Sequence, residues 1–174
     1  DANIVSNRYD SSLKCWAITF DADLTMIGNR AFYDCDSLTS VTIPDSVTTI
    51  GNYAFIGCYS LTSVTIGDSV TTIGKCAFMG CDCLQYIVAP GVSFDQFTEV
   101  LTRIAAAIGY MVNSNQYTDT EMVAAYQAYI SSCKKKLLPA IFENDLVPAL
   151  AYFCDTGKIT GKKFDKEFLQ PAME

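Results

Sequence analysis

The sequence predicts an α+β repeat protein, in which a short solenoid with a parallel sheet is followed by an all-α domain of helical hairpins. Residues 27–49 and 50–72 match at 18 of 23 positions, and a third copy, which has drifted, begins at Ile73. A fixed period of this length is typical of stacked units that bury their hydrophobic sides against each other. From Asp95 the hydrophobic period changes from two to about 3.6, which predicts helices.

Each unit combines a strand, a turn and a helical turn. The segment SLTSVTI, residues 37–43, alternates apolar and polar side chains and is rich in Val, Ile and Thr, which predicts a short strand. Asp45 and Ser46 then predict a turn. The pattern AF-x-x-C, residues 31–35, predicts a single helical or 3₁₀ turn. Stacking aligns the apolar positions of successive units in columns: Ile27/Ile50/Ile73, Phe32/Phe55/Phe78, Leu38/Leu61/Leu84 and Val41/Val64/Ile87.

The same frame divides the chain into two domains. Residues 1–93 form the repeat domain, with a degenerate leading repeat at 4–26 and a third repeat at 73–93, and residues 94–174 form the helical domain. The exposed face of the sheet is predicted to carry the side chains that alternate with the buried columns. These candidate partner-binding residues are Thr19, Asp21, Ser40, Thr42, Ser63, Thr65, Tyr86 and Val88.

Most of this face is small, uncharged and rich in hydroxyl groups. Binding hot spots favour Trp, Tyr and Arg, so Tyr86 in the third repeat is the best candidate for partner contact. The alternative is that the threonines serve strand formation alone.

Composition and charge exclude several classes of function. The net charge is −7 and residues 1–95 carry −6 of it, which is a poor match for nucleic acid. The chain has no histidine and no GxSxG, HExxH, P-loop or dinucleotide motif, so neither an enzyme nor a bound cofactor is predicted. No apolar run approaches the roughly 20 residues that span a bilayer, so no membrane insertion is expected.

Eight cysteines raise the question of a disulfide scaffold or a metal site. Cys35, Cys58 and Cys81 are spaced by 23, which predicts a ladder of unbridged, buried thiols. Cys76 and Cys83 complete a C-x4-C-x-C pattern, for which a thiolate metal site or a redox pair is the alternative to packing. No histidine completes a ligand set, and no metal is predicted.

The two best copies resemble the BspA-type leucine-rich repeat, whose consensus is similar to IG-x-x-AF-x-x-C-x-x-L-x-x-V-x-IP-x-x-V-x-x. The resemblance is close over residues 27–93 and weaker over 4–26. It implies a curved right-handed solenoid with the parallel sheet on its concave side. It also implies a bacterial protein, at the cell surface or secreted, that serves in adhesion or protein binding.

Five helices are predicted in the C-terminal part. The first runs from about 94 to 112, and the second is capped by Thr118 and Glu121 and ends near Cys133. A third begins at Lys134, a fourth is capped by Asp145 and ends near Gly157, and a fifth begins near residue 160. The residues predicted to face inward on the first two helices are Val100, Leu101, Ile104, Ile108, Met111, Met122, Ala125, Tyr126, Tyr129 and Ile130.

Two prolines and a short basic run stand out in this part. Pro139 and Pro148 fall in first turns if their helices begin at about 137 and 146, and otherwise they kink them. Residues 137–157 resemble an ankyrin-type helical hairpin, and the next hairpin is cut short, which suggests that the native chain continues. The lysines at 134–136 are interpreted as a solvated helix start, with contact to an acidic partner or to lipid as the alternative.

Taken together, these patterns predict a non-catalytic module for protein–protein interaction or adhesion. Its ligand is a protein or a glycan of unknown identity, and its oligomeric state is not predicted. The alternative is a structural spacer or scaffold segment of a larger protein. The resemblance favours the cell surface or secretion, whereas eight cysteines favour a reducing compartment such as the cytoplasm.

Overall fold

The computed structural model describes residues 4–10, 15–20 and 22–156, with side chains from Ala22 onward except that of Cys154. The strands in chain order are β1 (Ile4–Asp10), β2 (Cys15–Phe20), β3 (Met26–Ile27), β4 (Ser40–Ile43), β5 (Thr49–Ile50), β6 (Ser63–Ile66), β7 (Thr72–Ile73) and β8 (Tyr86–Val88). The α-helices are α1 (Val100–Val112), α2 (Thr120–Ser132), α3 (Lys134–Glu143) and α4 (Val147–Asp155). Short 3₁₀ turns lie at Phe94–Gln96 and Ser114–Gln116.

The repeats form two parallel three-stranded sheets, in the orders β4-β6-β8 and β3-β5-β7. Within the first sheet Val41 pairs with Val64 and Val64 with Ile87, which is a register of 23 residues at each step. The predicted strands and their parallel stacking are therefore confirmed. The second sheet was not predicted, because strands of two residues such as Thr49–Ile50 are too short to show a period in the sequence.

The core is built from the predicted columns. Phe32, Phe55 and Phe78 stack face to face, with ring centroids 4.9 and 5.3 Å apart. Every core position of the second repeat is fully buried, as Phe55 and Leu61 illustrate. The buried residues of the repeats and of the helices belong to one continuous cluster.

The predicted helical or 3₁₀ turn at residues 31–35 is not formed. The backbone there makes consecutive turns, and Arg30, Tyr53 and Cys76, which occupy the same position in the three repeats, have φ values of 56°, 58° and 52°. Alternate N–H groups point to the next repeat: that of Phe32 donates to the carbonyl of Ala54 at 2.8 Å. An amide used between repeats cannot close a helical turn, so the stacking contact replaces the helix.

The leading segment does not pair as predicted. β2 forms an antiparallel hairpin with β1, in which Thr19 lies opposite Ser6, and β2 is not a strand of the β4-β6-β8 sheet. Two extended segments joined by four residues can satisfy their backbones locally as a hairpin, and this pairing takes the place of the expected parallel one. Asp21 lies outside the described residues.

The first helix is shorter than predicted. α1 begins at Val100 after a separate 3₁₀ turn, so Val100 and Leu101 lie in its first turn and are 57% and 54% exposed. Both were expected to face inward, and that expectation is wrong. Ile108 and Met111, further along the same helix, are buried as predicted.

The second helix also begins differently, because Asp119 caps it and accepts a hydrogen bond from the N–H of Met122 at 2.8 Å. The predicted cap, Thr118, is one residue too early. Tyr126 and Ile130 are buried as expected, whereas Ala125 is exposed.

The two prolines have different outcomes. Pro148 is the second residue of α4, in the first turn, as predicted. Pro139 is the sixth residue of α3, because that helix begins at Lys134, where Cys133 already accepts hydrogen bonds from the first turn. The fourth helix ends at Asp155, two residues before the predicted end near Gly157. The predicted fifth helix lies outside the described residues.

Candidate interaction surface

The parallel sheet presents two rows of side chains on its outward face. The rows are Ser40–Ser63–Tyr86 and Thr42–Thr65–Val88. Strand alternation sets them outward, because Val64 and Ile66 take the inward positions and are 0% and 1% exposed. The register thus brings together six of the eight side chains that the sequence predicted for this face.

These six side chains differ in exposure. Ser40, Thr42 and Thr65 are exposed, and Ser63 and Tyr86 are partly buried. Val88 was expected to be exposed on this face, but it is buried, with 3% of its surface exposed. The cause is α1, which packs against β8.

Gly109 allows that packing. A side chain at Gly109 would collide with the carbonyl group of Ile87, so the α1 backbone lies directly on the β8 backbone. Glycine is the residue that permits such an approach between two backbones. Helix α1 therefore takes the place that a fourth strand would occupy beside β8.

Two polar side chains complete this closure of the stack. The side-chain oxygen of Gln96 accepts a hydrogen bond from the N–H of Ile73 at 2.7 Å, and its amide nitrogen donates to the carbonyl of Thr71 at 2.6 Å. The N–H of Ala89 donates to the hydroxyl oxygen of Tyr117 at 2.9 Å. Burial raises the pKa of Tyr117 to about 12, so the phenol stays neutral in the folded chain.

The predicted ladder of buried thiols is confirmed for Cys58 and Cys81, whereas Cys35 is only partly buried. The thiol of Cys58 donates to the carbonyl of Phe32 at 3.1 Å, and that of Cys81 to the carbonyl of Phe55 at 3.2 Å. Both thiols and that of Cys35 are free. Burial raises the pKa of Cys81 to about 12, which suppresses the reactive thiolate.

A metal site needs several ligating side chains close together, and insertion into a membrane needs a long apolar helix. Within residues 22–156, no group of three or more Cys, Asp or Glu side chains is arranged to hold a metal ion. Cys83 is exposed and Cys76 partly buried. In the described part of the chain, no helix combines the length and apolar character needed to cross a bilayer.

A second exposed surface was not predicted from the sequence. Met79, Val100 and Leu101 are 43%, 57% and 54% exposed, and together they line a groove of about 190 Å³ between the third repeat and α1. The sequence does not reveal that α1 begins beside Met79. Only the packing of α1 on β8 brings the three side chains together.

Helices α1 and α2 hold an aromatic cluster that the sequence also did not predict. The guanidinium of Arg103 lies 5.0 Å from the ring centroids of both Phe94 and Tyr129, and its Nε is buried without a hydrogen-bond partner. Phe94 in turn contacts the buried ring of Tyr126 at 4.7 Å. These contacts hold the 3₁₀ turn that carries Gln96 against the helices.

Comparison with known proteins places the repeats in a family. Residues 2–100 match the BspA type leucine rich repeat region, in six copies. No curated protein and no solved structure matches the chain. Leucine-rich repeats generally mediate protein–protein interaction or adhesion, and the family is generally non-catalytic. Since the match covers more than half of the sequence, the chain belongs to the BspA-type leucine-rich repeat family.

Proposed function

We propose that this chain is a non-catalytic module that binds a protein, or a glycan carried by one, through the outward face of its parallel sheet. The observation that carries the proposal is Tyr86. It is the one aromatic side chain in the two rows, and it lies partly exposed at the end of the Ser40–Ser63 row. Tyrosine combines a large apolar ring with a polar hydroxyl and is enriched at binding hot spots.

Pre-organisation supports this use of the face. Ser63 and Thr65 lie on the central strand, which is paired on both sides. The third repeat is fixed on its other side by contacts with residues that follow it in the chain, namely Gln96, Gly109 and Tyr117. A partner that docks here need not order the backbone, which lowers the entropic cost of binding.

The chemistry of the chain supports a binding role over catalysis. The sequence has no histidine, and the buried thiol of Cys81 has a raised pKa. Nucleophilic catalysis needs an activated nucleophile beside a base, and neither condition is met by the ladder cysteines.

We also propose the finer architecture that the sequence predicted. In this proposal the three repeats, residues 27–93, form a short solenoid, and the helices that follow them form a helical domain. Helices α3 and α4, which contact each other across residues 144–146, form an ankyrin-like hairpin. The close packing of the repeats at one pitch and the short α3–α4 connection support this reading.

The family supports a location for the protein. BspA-type repeat proteins are often found at the surface of bacteria or secreted. We propose the same for this chain, with free thiols as a feature to test, because exported proteins tend to form disulfides.

Binding of the intact chain to arrays of bacterial and host proteins and of glycans tests the function. For a ligand found in this way, Tyr86→Ala should weaken binding by about tenfold or more, measured at a temperature where thermal unfolding shows the variant to be folded. Val147→Ala, at a site on α4 that is 62% exposed, is the matched control and should leave binding unchanged. Silence across both arrays would favour a structural spacer without a partner of its own.

A further inference from the structure

A strip of apolar side chains, exposed at both ends and partly buried in the middle at Ile56, crosses the repeats on their turns, away from the strand residues. Tyr33, Ile56 and Met79 occupy the same position in the three repeats. Backbone hydrogen bonds align them, because the N–H of Asp34 donates to the carbonyl of Ile56 and that of Gly57 to the carbonyl of Met79, each at 2.9 Å. Neighbouring positions in the strip are therefore separated by about 4.8 Å, the spacing of stacked strands.

The strip continues beyond the third repeat onto α1. Met79 shares a groove of about 190 Å³ with Val100 and Leu101, and its floor is apolar: Phe78, Cys81 and Leu84. Tyr59, which is 52% exposed, lies beside Gly80 at the edge of this groove. The groove is large enough to admit an aliphatic side chain, which would displace water from it.

The exposed side chains of the strip and its groove are not part of the hydrophobic core. Tyr33, Tyr59, Met79, Val100 and Leu101 are five of the eight large hydrophobic residues that are exposed in the described part of the chain. Contiguous exposed apolar side chains with a polar rim are typical of a protein-binding surface.

The rim of the strip is acidic. Exposed carboxylates lie in the turns that carry the strip, at Asp34, Asp36 and Asp82, and Glu99 lines the groove. Residues 27–102 contain seven acids and two bases. One of these bases, Arg30, lies over the ring of Tyr53 at 5.6 Å. The electrostatic complement of this surface is a cationic partner, and a second copy of a chain with net charge −7 is a poor fit.

We propose that this strip, defined by Tyr33, Ile56, Met79, Val100 and Leu101, docks a segment of a partner protein that carries aliphatic and basic side chains. An aliphatic side chain enters the groove between the third repeat and α1, and lysine or arginine side chains pair with Asp34, Asp82 and Glu99. This is a second surface of the interaction module proposed above, and it does not use the sheet face.

Selection from a displayed library of random 12-residue peptides against the folded chain tests the proposal. Enriched peptides should combine Leu, Ile, Val or Met with Lys or Arg and should be poor in Asp and Glu. Leu101→Lys, and separately Met79→Lys, should weaken a selected peptide by about tenfold or more, because both place a cation in the apolar groove. Asp82→Lys should weaken it by a smaller factor and reduce the salt dependence of binding.

Two variants separate this surface from the others. Val147→Lys places the same charge on the exposed apolar residue of α4 and should leave peptide binding unchanged. Tyr86→Ala should also leave it unchanged, whereas a peptide that binds the sheet face would lose affinity in that variant alone. If peptide affinity fell in Tyr86→Ala and not in Leu101→Lys, the strip would not be the docking site, and the proposed function of the sheet face would stand.

Other outcomes also count against the strip. Enrichment of acidic peptides would contradict the electrostatic argument, and the absence of any enriched peptide would contradict the docking site itself. Concentration-dependent dimerisation that Leu101→Lys abolishes would assign the strip to a second copy of the chain and overturn the proposed partner.

Discussion

The first and third repeats share one sequence pattern but differ in what packs against their outer sides. In the first repeat Phe32, Cys35, Leu38 and Val41 are only partly buried, and β4 pairs with a strand on one side only within the described chain. In the third repeat the outer strand β8 lies under α1. Position in the stack, more than sequence, therefore determines how well a repeat is packed.

The closure of the third repeat uses residues that lie outside the repeat pattern. Gln96 supplies hydrogen bonds to the edge strand β7, Gly109 lets a helix replace a strand, and Tyr117 accepts the N–H of Ala89. Terminal units of repeat proteins need such caps, because an exposed edge strand is a site of unwanted pairing. Both proposed binding surfaces include residues of this closed end.

The largest expected effect is on the phenylalanine column. Phe55→Ala should destabilise the chain by about 3–5 kcal/mol, because its ring is fully buried between two others. Phe32→Ala should cost at least about 1 kcal/mol less, since Phe32 is partly buried and, in the described column, stacks only on Phe55. Urea unfolding of both variants measures the difference, and equal losses would contradict the contrast between the repeats.

A smaller effect is expected at the contact between α1 and β8. Gly109→Ala should destabilise the chain by about 1–3 kcal/mol, although alanine is the better helix former, because the added methyl group collides with the carbonyl of Ile87. Gly28→Ala is the matched control, since a side chain there meets no atom within 4 Å. If the two variants unfold at the same urea concentration, the close approach of α1 does not exist.

The third effect depends on pH. Burial raises the pKa of Tyr117 to about 12 from an ordinary value of 10.0, so between these pH values the unfolded chain loses a proton that the folded chain keeps. Its contribution to stability is fully present below pH 10 and is lost as the pH rises toward 12. Tyr117→Phe should therefore show a shallower fall in stability over this range.

The same variant has a separate cost at neutral pH. Tyr117→Phe leaves the buried N–H of Ala89 without its acceptor, which should destabilise the chain by about 1–3 kcal/mol at pH 7. Urea unfolding at pH 7, 10 and 11 measures both effects. An unchanged slope above pH 10 would show that the phenol does not titrate with unfolding.

Much of the repeat region could be predicted from the sequence, because its period of 23 fixes the register of Val41, Val64 and Ile87 without knowledge of any distant contact. The conformation of residues 31–35 could not be predicted, because an AF-x-x-C pattern is equally compatible with a helix and with consecutive turns. The choice depends on an amide of Phe32 that bonds to the next repeat.

The candidate surfaces were only partly predictable for the same reason. Strand alternation identifies the outward position of Tyr86, but the burial of Val88 depends on where a helix packs. The exposure of Val100 and Leu101 depends on where α1 begins, which hydrophobic period alone places too early. Contacts between segments far apart in the sequence decided each of these cases.

Native-state hydrogen exchange tests most directly whether the first repeat is held less firmly than the second, which is hydrogen-bonded to the closed third repeat. The N–H groups of Phe32 and Asp34 and those of Phe55 and Gly57 make equivalent hydrogen bonds to the following repeat, at 2.8–2.9 Å. We predict that Phe32 and Asp34 exchange at least about tenfold faster, through local opening of the first repeat. Equal protection at the two pairs would contradict the claim that the closed end holds the stack together.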